Sequence, residues 1–353
     1  MGLGGNLIWT SVLKSLHERD QVKIHVCYKP KLSDLYRGYL FDRTRTLEND
    51  SIFKHNPRLY FNQPQTKNAL ESIADRLFDL ILRIFSVKHQ FERWVFARSE
   101  KKFQLGNDHY HLVHIDMEIH SYAEKSTRKR IIWKQGGRAA EVMGRLFRLP
   151  DVSDACELYF AAEEYDHVEH LIKQNELSNL FIVVEPHTNQ EWFGELRAWP
   201  FEMWQQLVDR LNTQYPNMHI VQIGVGGRQP LDGVIDLQGQ TSFREAALLL
   251  KSSRMFIGTE GGMMHAAHAV NVPAVILWGG VTLPTFAGYP NQQKVICHYV
   301  ACAPCGQRGW CNNHHICMRS ITIEEVFNAI KQELKLTTHH NRNISLSPER
   351  LAE

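Results

Sequence analysis

The stretch FIGTEGGMMHAAHA, residues 256–269, decides how the C-terminal half of this sequence folds. An apolar run ending at Ile257 predicts a buried strand, residues 258–262 predict a tight turn, and residues 263–270 predict a helix. The amides at the start of that helix, with their partial positive charge, suit a diphosphate. An ordinary strand–turn–helix with small residues for packing fits the same spacing equally well, because glycine turns alone are weak signals.

The segments around this stretch repeat its pattern. Apolar runs at 181–184, 219–223 and 273–277 predict further strands, each followed by a glycine- or proline-containing loop. Helices are predicted after the first two of these strands. Ser242 with Glu245 three positions later predicts a capping box at a helix start. Unbroken apolar strands alternating with helices favour a parallel sheet covered on both faces, so this half is expected to be Rossmann-like.

The first half of the chain is less regular but also alternates. Patterns at 6–16, 67–99 and 139–147 predict helices, and patterns at 22–26, 111–115 and 130–133 predict strands. No strand precedes the glycine turn at 2–5, so we expect either a missing first strand or a chain that begins upstream. The predicted division is an N-terminal domain over 1–165, a C-terminal domain over 166–336, and a disordered tail over 337–353.

The composition argues against several classes of protein. The 353 residues are 43% hydrophobic and 22% charged, with a net charge of +2, which argues against a nucleic-acid binder. No apolar run reaches 18 residues and no secretory signal is visible, and seven cysteines, an odd number, favour a reducing compartment. We therefore expect a cytoplasmic protein. Local basic clusters such as residues 128–130 are expected to form a solvated face rather than a contact with an anionic acceptor or the inner membrane.

Four segments together resemble glycosyltransferase family 9, the lipopolysaccharide heptosyltransferases. Residues 256–269 are similar to the family block D-[ST]-G-x-x-H-x-A-x-A, and residues 2–16 (GLGGNLIWTSVLKSL) are similar to its opening block. Residues 185–188 (EPHT) with 197–204 (RAWPFEMW) resemble a third block, and the cysteines from 302 to 317 resemble a segment of many members. The resemblance extends over residues 181–330 and, before that, only over the first sixteen.

The resemblance implies a GT-B fold, which is an α/β fold of two Rossmann-like domains with a central cleft, and inverting transfer from a nucleotide sugar without a catalytic cofactor. ADP-heptose is the donor it implies first. Carried over by position, Arg197 would neutralise the donor diphosphate, Thr188 would hydrogen-bond it and Glu260 would reach the donor. The remaining donor-side residues would cradle the phosphates through amides and one imidazole: Gly261, Gly262, Met263, Met264 and His265.

Asn6 is the main departure from the family pattern, which has an aspartate there as general base. An amide cannot accept the acceptor's proton in this way. Three explanations are open. Another carboxylate serves as the base, with Asp116 and Glu118 as candidates and Asp34 less favoured. Alternatively, Asn6 positions an acceptor that needs little basic help, or the protein binds its ligand without turnover. Asn6 also suits a helix N-cap after a glycine turn.

Clustered cysteines form the other candidate site. Cys302, Cys305, Cys311 and Cys317, with histidines nearby, predict a structural zinc or iron, although the spacing is not that of a standard zinc knuckle. A related class of autotransporter heptosyltransferases is held to carry iron on clustered cysteines. The alternative is a set of thiols without metal, as in many family members.

The functional prediction is an inverting glycosyltransferase that moves a sugar, heptose first, to a cell-surface glycan or glycolipid acceptor such as lipopolysaccharide core. The alternatives are a nucleotide-sugar-binding protein with little or no catalysis, a transferase with another donor or a protein acceptor, and an epimerase or hydrolase of nucleotide sugars. The last alternative lacks a convincing pair of acidic or basic groups.

Overall fold

The structure, a computed structural model, describes residues 2–99, 103–105, 108–114, 137–145, 147–177, 180–188, 194–306 and 310–338. The chain divides into two compact units. The first contains Leu3–Gln135 and Ala139–Asp154, and the second contains Gly136–Arg138 and Ala155–Glu353. None of the helices described is long and apolar enough to cross a membrane.

The first unit has a small mixed sheet with helices. Its elements are α1 (Leu3–Asp20), β1 (Lys23–Cys27), α2 (Leu32–Tyr36), α3 (Ala69–Ile84), α4 (Lys88–Ser99), β2 (Phe103–Leu105), β3 (Asp108–His114) and α5 (Ala139–Arg145). The strand order is β1-β3-β2, with β1 parallel to β3 and β2 antiparallel to it. In its described residues the first unit thus combines helices with a short mixed sheet.

The second unit has a parallel sheet of six described strands. Its elements are α6 (Ala162–Gln174), β4 (Phe181–Val184), α7 (Gly194–Arg197), α8 (Phe201–Gln214), β5 (His219–Gln222), β6 (Ile235–Asp236), α9 (Phe243–Ser252), β7 (Phe256–Thr259), α10 (Gly262–Ala269), β8 (Ala274–Trp278), α11 (Pro284–Ala287), β9 (Gln293–Cys297), α12 (Ile316–Arg319) and α13 (Ile323–Thr338). The strand order is β6-β5-β4-β7-β8-β9. All five neighbouring pairs are parallel.

The core of the second unit follows from its apolar strands. Every residue of β4, β7 and β8 is buried, because helices cover both faces of a parallel sheet. Trp199 and Trp204 pack edge to face at 5.2 Å in this core. The predicted capping box is confirmed: Ser242 Oγ accepts from the Glu245 amide at 3.3 Å, and Glu245 Oε2 accepts from the Ser242 amide at 2.7 Å.

Several predicted elements differ in the structure. The helical region 67–99 is two helices, because Ser86, at φ +52°, adopts a left-handed conformation that ends α3. Helix α1 begins at Leu3, so the predicted glycine turn at 2–5 is wrong and Asn6 lies inside the first turns of a helix instead of capping it. Burial of the α1 face that includes Leu7 and Val12 outweighs the cost of about 1 kcal/mol for each helical glycine.

Other predictions fall partly outside the described residues. The strand predicted at 130–133 lies outside them, as does most of the predicted disordered tail. Residues 337 and 338, the start of that tail, instead complete helix α13. Strands β6 and β9 were not predicted, because β6 has two residues and β9 mixes polar and apolar residues.

A buried ion network holds α3 against α2. Lys67 Nζ lies 2.8 Å from Asp34 and 3.0 Å from Asp75, and Arg43 Nη1 lies 3.2 Å from Asp34. Asp34 is fully buried and Asp75 nearly so. The two carboxylates therefore depend on these cations for compensation, since an unpaired buried charge is costly.

Replacing Lys67 by methionine tests this dependence. The substitution keeps the side-chain length but leaves Asp34 and Asp75 short of one cation, and we expect a loss of about 3–5 kcal/mol of unfolding free energy. Urea unfolding of the first unit, followed by circular dichroism, gives the value. Lys23→Met is the control, since Lys23 is exposed on β1, and we expect a change within about 0.5 kcal/mol. If the two substitutions changed the unfolding free energy equally, the network would contribute nothing to stability.

Candidate functional site

The strand order of the second unit locates its binding edge. Numbered within the unit, the strands run 3-2-1-4-5-6, so the chain reverses direction across the sheet between β4 and β7. Ligands of open parallel sheets bind beyond the carboxyl ends of the strands at such a switch point. Glu185 follows β4 and Glu260 follows β7, so both lie at that edge.

Helix α10 begins at this edge. Gly261 is its N-cap in an extended conformation, and Gly262 is its first residue. The first four amides of a helix have no acceptor within the helix, and they carry the positive end of its dipole. Met263 and Met264 are buried, so they supply amides while their side chains fill the core. The amides at the start of α10 thus lie at the switch point, and their role as a phosphate cradle stays a prediction.

Arg197 and Glu260 meet at the same edge. Arg197 Nη1 donates to the backbone oxygen of Glu260 at 3.2 Å, and Nε lies 3.4 Å from the Glu260 carboxylate, an ion-pair contact without hydrogen-bond geometry. Burial raises the pKa of Glu260, and the charge of Arg197 opposes that rise. The two residues that the sequence assigns separately to a donor are therefore one charged pair, and Glu260 orients the guanidinium.

Thr188 also lies at this edge, in the loop after β4. Its hydroxyl donates to the backbone oxygen of Gly194, the first residue of α7, at 2.7 Å. Since α7 ends at Arg197, this bond ties the start of the loop to the helix that carries the arginine. In the structure, the threonine hydroxyl supports that loop; direct contact with a phosphate stays a prediction.

His265 belongs to a buried chain of polar groups. Its Nδ1 lies 2.7 Å from the Tyr289 hydroxyl, which lies 3.1 Å from Cys156 Sγ. Burial lowers the pKa of His265 to about 3 and raises that of Cys156 to about 12, so both groups are neutral at physiological pH. His268 stacks on the Tyr289 ring at 3.6 Å. Tyr289 and Cys156 thus position the imidazole, and no motif in the sequence indicates this role.

The direction of these hydrogen bonds follows from donor and acceptor strength. A phenol is a good donor and a neutral imidazole nitrogen a good acceptor, whereas sulfur is weak in both roles. The favoured arrangement has Tyr289 donating to His265 Nδ1 and the Cys156 thiol donating to the phenol oxygen. His265 then carries its proton on Nε2, which makes that nitrogen a donor suited to an anionic ligand.

Glu185 is a second residue that the sequence did not assign to the site. It follows β4 directly, and burial alone raises its pKa from 4.5 to about 8. A carboxyl group held neutral at a strand end is common at functional sites. The only signal in the sequence was its place after an apolar strand, where Glu185-Pro186 predicts no more than a loop.

The candidates for an acceptor base lie in the first unit. Asn6 is partly buried within α1, and Asp116 and Glu118 lie outside the described residues. Asp34 is unsuited to the role: it is fully buried, paired with Arg43 and Lys67, and accepts from the Lys31 amide. The structure thus removes Asp34 from the three carboxylates considered.

Trp278, the last residue of β8, is part of the core. It is fully buried, and its indole N–H donates to the backbone oxygen of Thr282 at 3.1 Å. Gly279, the next residue, fits closely: a Cβ there would lie 3.1 Å from the backbone oxygen of Leu196. The glycine turn after β8 therefore lets this strand end approach the helix that carries Arg197.

The four cysteines do not assemble into the predicted metal site. Among the residues that the structure describes, no three Cys, His, Asp or Glu side chains converge on a position for a metal ion. Cys317 is buried under Gly280, with its sulfur 3.4 Å from where a Cβ of that glycine would lie. Both ring nitrogens of His298 are occupied, by Ser320 and Glu325. Core packing and hydrogen bonding separate the side chains that sequence proximity grouped.

The second unit is therefore a Rossmann-like domain, with an arginine, a carboxylate and a helix start at its switch point. Residues 151–315 match the family model described as glycosyltransferase family 9 (heptosyltransferase). This match, over just under half of the chain, agrees with the resemblance seen in the sequence.

A curated relative is the lipooligosaccharide heptosyltransferase 2 of Campylobacter jejuni. It is 26% identical over 100 residues, which cover 28% of this chain and 32% of the relative. The matched part thus spans about a third of the length of the curated relative.

Two solved structures share the fold over nearly the whole chain. The glycosyl transferase family 9 structure from Veillonella parvula matches with a TM-score of 0.60 at 15% identity, covering 95% of each chain. The ADP-heptose lps heptosyltransferase II of Escherichia coli matches with a TM-score of 0.57 at 15% identity, covering 95% of this chain and 97% of that one. The predicted GT-B fold class is confirmed by these matches.

The raised pKa of Glu185 predicts a pH-dependent stability. The folded protein keeps this carboxyl protonated up to about pH 8, whereas the unfolded chain ionises it above about 4.5. Stability contributed by the neutral form is therefore lost as pH rises through this window. We expect Glu185→Gln to match wild type near pH 5 and to exceed its melting temperature increasingly up to pH 8.

Thermal denaturation between pH 5 and 9 checks this expectation. Glu195→Gln is the control, because Glu195 is an exposed glutamate on α7. A difference between Glu185→Gln and wild type that does not change with pH would contradict the assignment.

The Tyr289 hydroxyl is expected to fix the His265 tautomer. In Tyr289→Phe the ring remains but Nδ1 loses its partner, and we expect the Nε2–H form to give way to a mixture, with a loss of about 1–3 kcal/mol of stability. Long-range ¹H–¹⁵N NMR reports the tautomer, with His265→Gln to assign the signal. Cys156→Ser, which keeps a hydroxyl partner for Tyr289, should retain the Nε2–H form. An Nδ1–H signal in wild type would reverse the assigned direction.

Proposed function

We propose that this protein is an inverting glycosyltransferase that moves a sugar, heptose first, from a nucleotide-diphosphate donor to a cell-surface glycan acceptor such as lipopolysaccharide core. The observation that carries the proposal is the convergence of Arg197, Glu260 and the start of α10 at the switch point of a parallel sheet. ADP-heptose is the first donor to test, because the similar Escherichia coli structure is that of an ADP-heptose heptosyltransferase.

The proposed chemistry uses these residues to stabilise a leaving diphosphate. The acceptor hydroxyl oxygen forms a bond to the anomeric carbon, and the bond from that carbon to the diphosphate oxygen breaks on the opposite face. Negative charge then grows on the leaving oxygen, where Arg197, the α10 amides and the His265 Nε2–H group oppose it. Because these groups are fixed before the donor arrives, little reorganisation is needed during the reaction.

The acceptor's proton needs a base, and Asp116 is the first candidate for it. Asn6 cannot accept a proton at neutral pH, so its role in this proposal is to orient the acceptor hydroxyl. A second candidate function follows from the same residue: a protein that binds a nucleotide sugar without turning it over. Transfer of labelled sugar to acceptor, compared between wild type and Asp116→Asn, separates the two.

The proposal places the protein on the cytoplasmic face of the bacterial inner membrane. Support comes from the seven cysteines, all of which are described and none of which forms a disulfide, as is usual in a reducing compartment. A lipid-linked acceptor would require peripheral contact with that membrane. A capsular glycan or a protein acceptor, and a donor other than ADP-heptose, are the variants of this proposal.

Donor binding is tested by calorimetry and thermal shift with ADP-heptose, ADP, UDP-sugars and GDP-sugars. We expect one nucleotide class to bind and Arg197→Ala to weaken it by about 10- to 100-fold, since charge-assisted bonds to phosphate are worth about 1.5–3 kcal/mol. Arg197→Lys, which keeps the charge, should recover part of the loss. Arg210→Ala is the matched control, because Arg210 pairs with exposed Glu324 on the same unit. A folded protein that binds none of these nucleotides would contradict the donor site.

A further inference from the structure

Helix α3 presents its apolar side outward. Leu70 is 78% exposed and Ile84 is 64% exposed, whereas a surface helix normally buries such residues. The other exposed apolar residues follow the same helical spacing. Together they make up what we call the outer face of α3: Leu70, Ile73, Leu77, Leu80, Ile81, Ile84 and the adjoining Phe85.

The opposite side of α3 carries its two buried residues, Asp75 and Leu82, and the partly buried Glu71. Asp75 accepts hydrogen bonds from the Ser33 amide at 2.8 Å and the Ser33 hydroxyl at 2.9 Å, and it also pairs with Lys67. Glu71, on the same side, pairs with Arg43 at 2.9 Å. The helix is therefore fixed to its unit through charged groups, which determines that the apolar residues point away. This arrangement is the reverse of a helix that covers a core.

Helix α4 packs against α3 through an aromatic contact and carries an exposed tryptophan. Phe91 of α4 packs edge to face against Phe78 of α3 at 5.2 Å and stacks with Trp94 at 6.2 Å. Trp94 is exposed, and the Arg98 guanidinium lies 3.9 Å above its ring. Tryptophan with arginine is typical of side chains that lie at the boundary between water and lipid.

The charges beside the outer face are mainly positive. Arg76 and Arg83 on α3 and Lys88 on α4 are exposed, and Asp79 is partly buried. Glu92, the carboxylate of α4, is buried and lies 3.5 Å from Lys29. An apolar stripe bordered by arginine and lysine is the pattern of a helix that lies in the plane of an anionic membrane surface.

We propose that the outer face of α3, with Trp94, docks on an anionic phospholipid surface. The apolar side chains enter the boundary between headgroups and acyl chains, and Arg76, Arg83 and Arg98 contact lipid phosphates. The stripe spans fourteen residue steps, about 21 Å along the helix, enough for several side chains to insert together. Pairing of two copies through this face is disfavoured, because a two-fold contact would bring like-charged borders together.

Flotation of the full-length protein with vesicles tests the proposal. The probes are phosphatidylethanolamine vesicles with and without phosphatidylglycerol, at low and high salt. We expect binding that needs the anionic lipid and falls with salt, and a loss of at least about tenfold for Leu77→Glu with Ile84→Glu, since each inserted side chain contributes about 1.5–3 kcal/mol. Arg76→Glu with Arg83→Glu should remove the salt-dependent part.

Val225→Glu is the matched control, because Val225 is also an exposed apolar residue but lies in the second unit; it should bind like wild type. Circular dichroism verifies that each variant is folded. Arg197→Ala should float normally, so failure of the donor-site proposal and failure of this one are distinguishable. Three results would overturn the inference: no flotation of wild type, unchanged flotation of Leu77→Glu with Ile84→Glu, or a solution dimer that this double variant dissociates.

Discussion

The parallel arrangement of the second sheet is the constraint on which its site depends. Because every described neighbouring pair runs in one direction, all carboxyl ends lie at one edge, and the reversal between β4 and β7 opens a place for a ligand there. The apolar strands that bury this sheet carry no chemistry themselves. They fix the starting points of the loops that do, so Glu185, Glu260 and the first turn of α10 meet although they are far apart in the sequence.

Desolvation at that edge sets the protonation states. The same burial that raises the pKa of Glu185 lowers that of His265, so two groups that are ordinarily charged or half-charged near neutrality are held neutral. Arg197 is the positive partner of Glu260 within this largely neutral surrounding, and a guanidinium stays charged under any physiological condition. An anionic ligand would therefore meet the fixed positive charge of Arg197, which Glu260 orients, beside groups that are held neutral. The electrostatics and the fold thus both favour an anionic ligand.

In the first unit, electrostatic interactions orient a helix. Its buried network of Asp34, Asp75, Lys67 and Arg43 anchors α3 through polar groups and leaves the apolar side outside. Such a network adds little net stability compared with an apolar core, but it specifies which way the helix turns. Orientation of an amphipathic helix is thus decided by where the compensating charges lie. In this protein the compensating charges of Lys67 and Arg43 lie on the buried side of α3.

The sequence by itself determined the architecture of the C-terminal half, because apolar strands, helix starts and glycine turns are local signals. It also placed Arg197, Glu260 and the start of α10 in one family pattern. It could not show that Arg197 and Glu260 pair, that Tyr289 and Cys156 hold His265, or that the cysteines near 302–317 do not gather. It also did not show that the apolar side of α3 faces outward. Those results depend on contacts between residues distant in sequence and on burial, and only the tertiary structure brings such residues together or removes them from water.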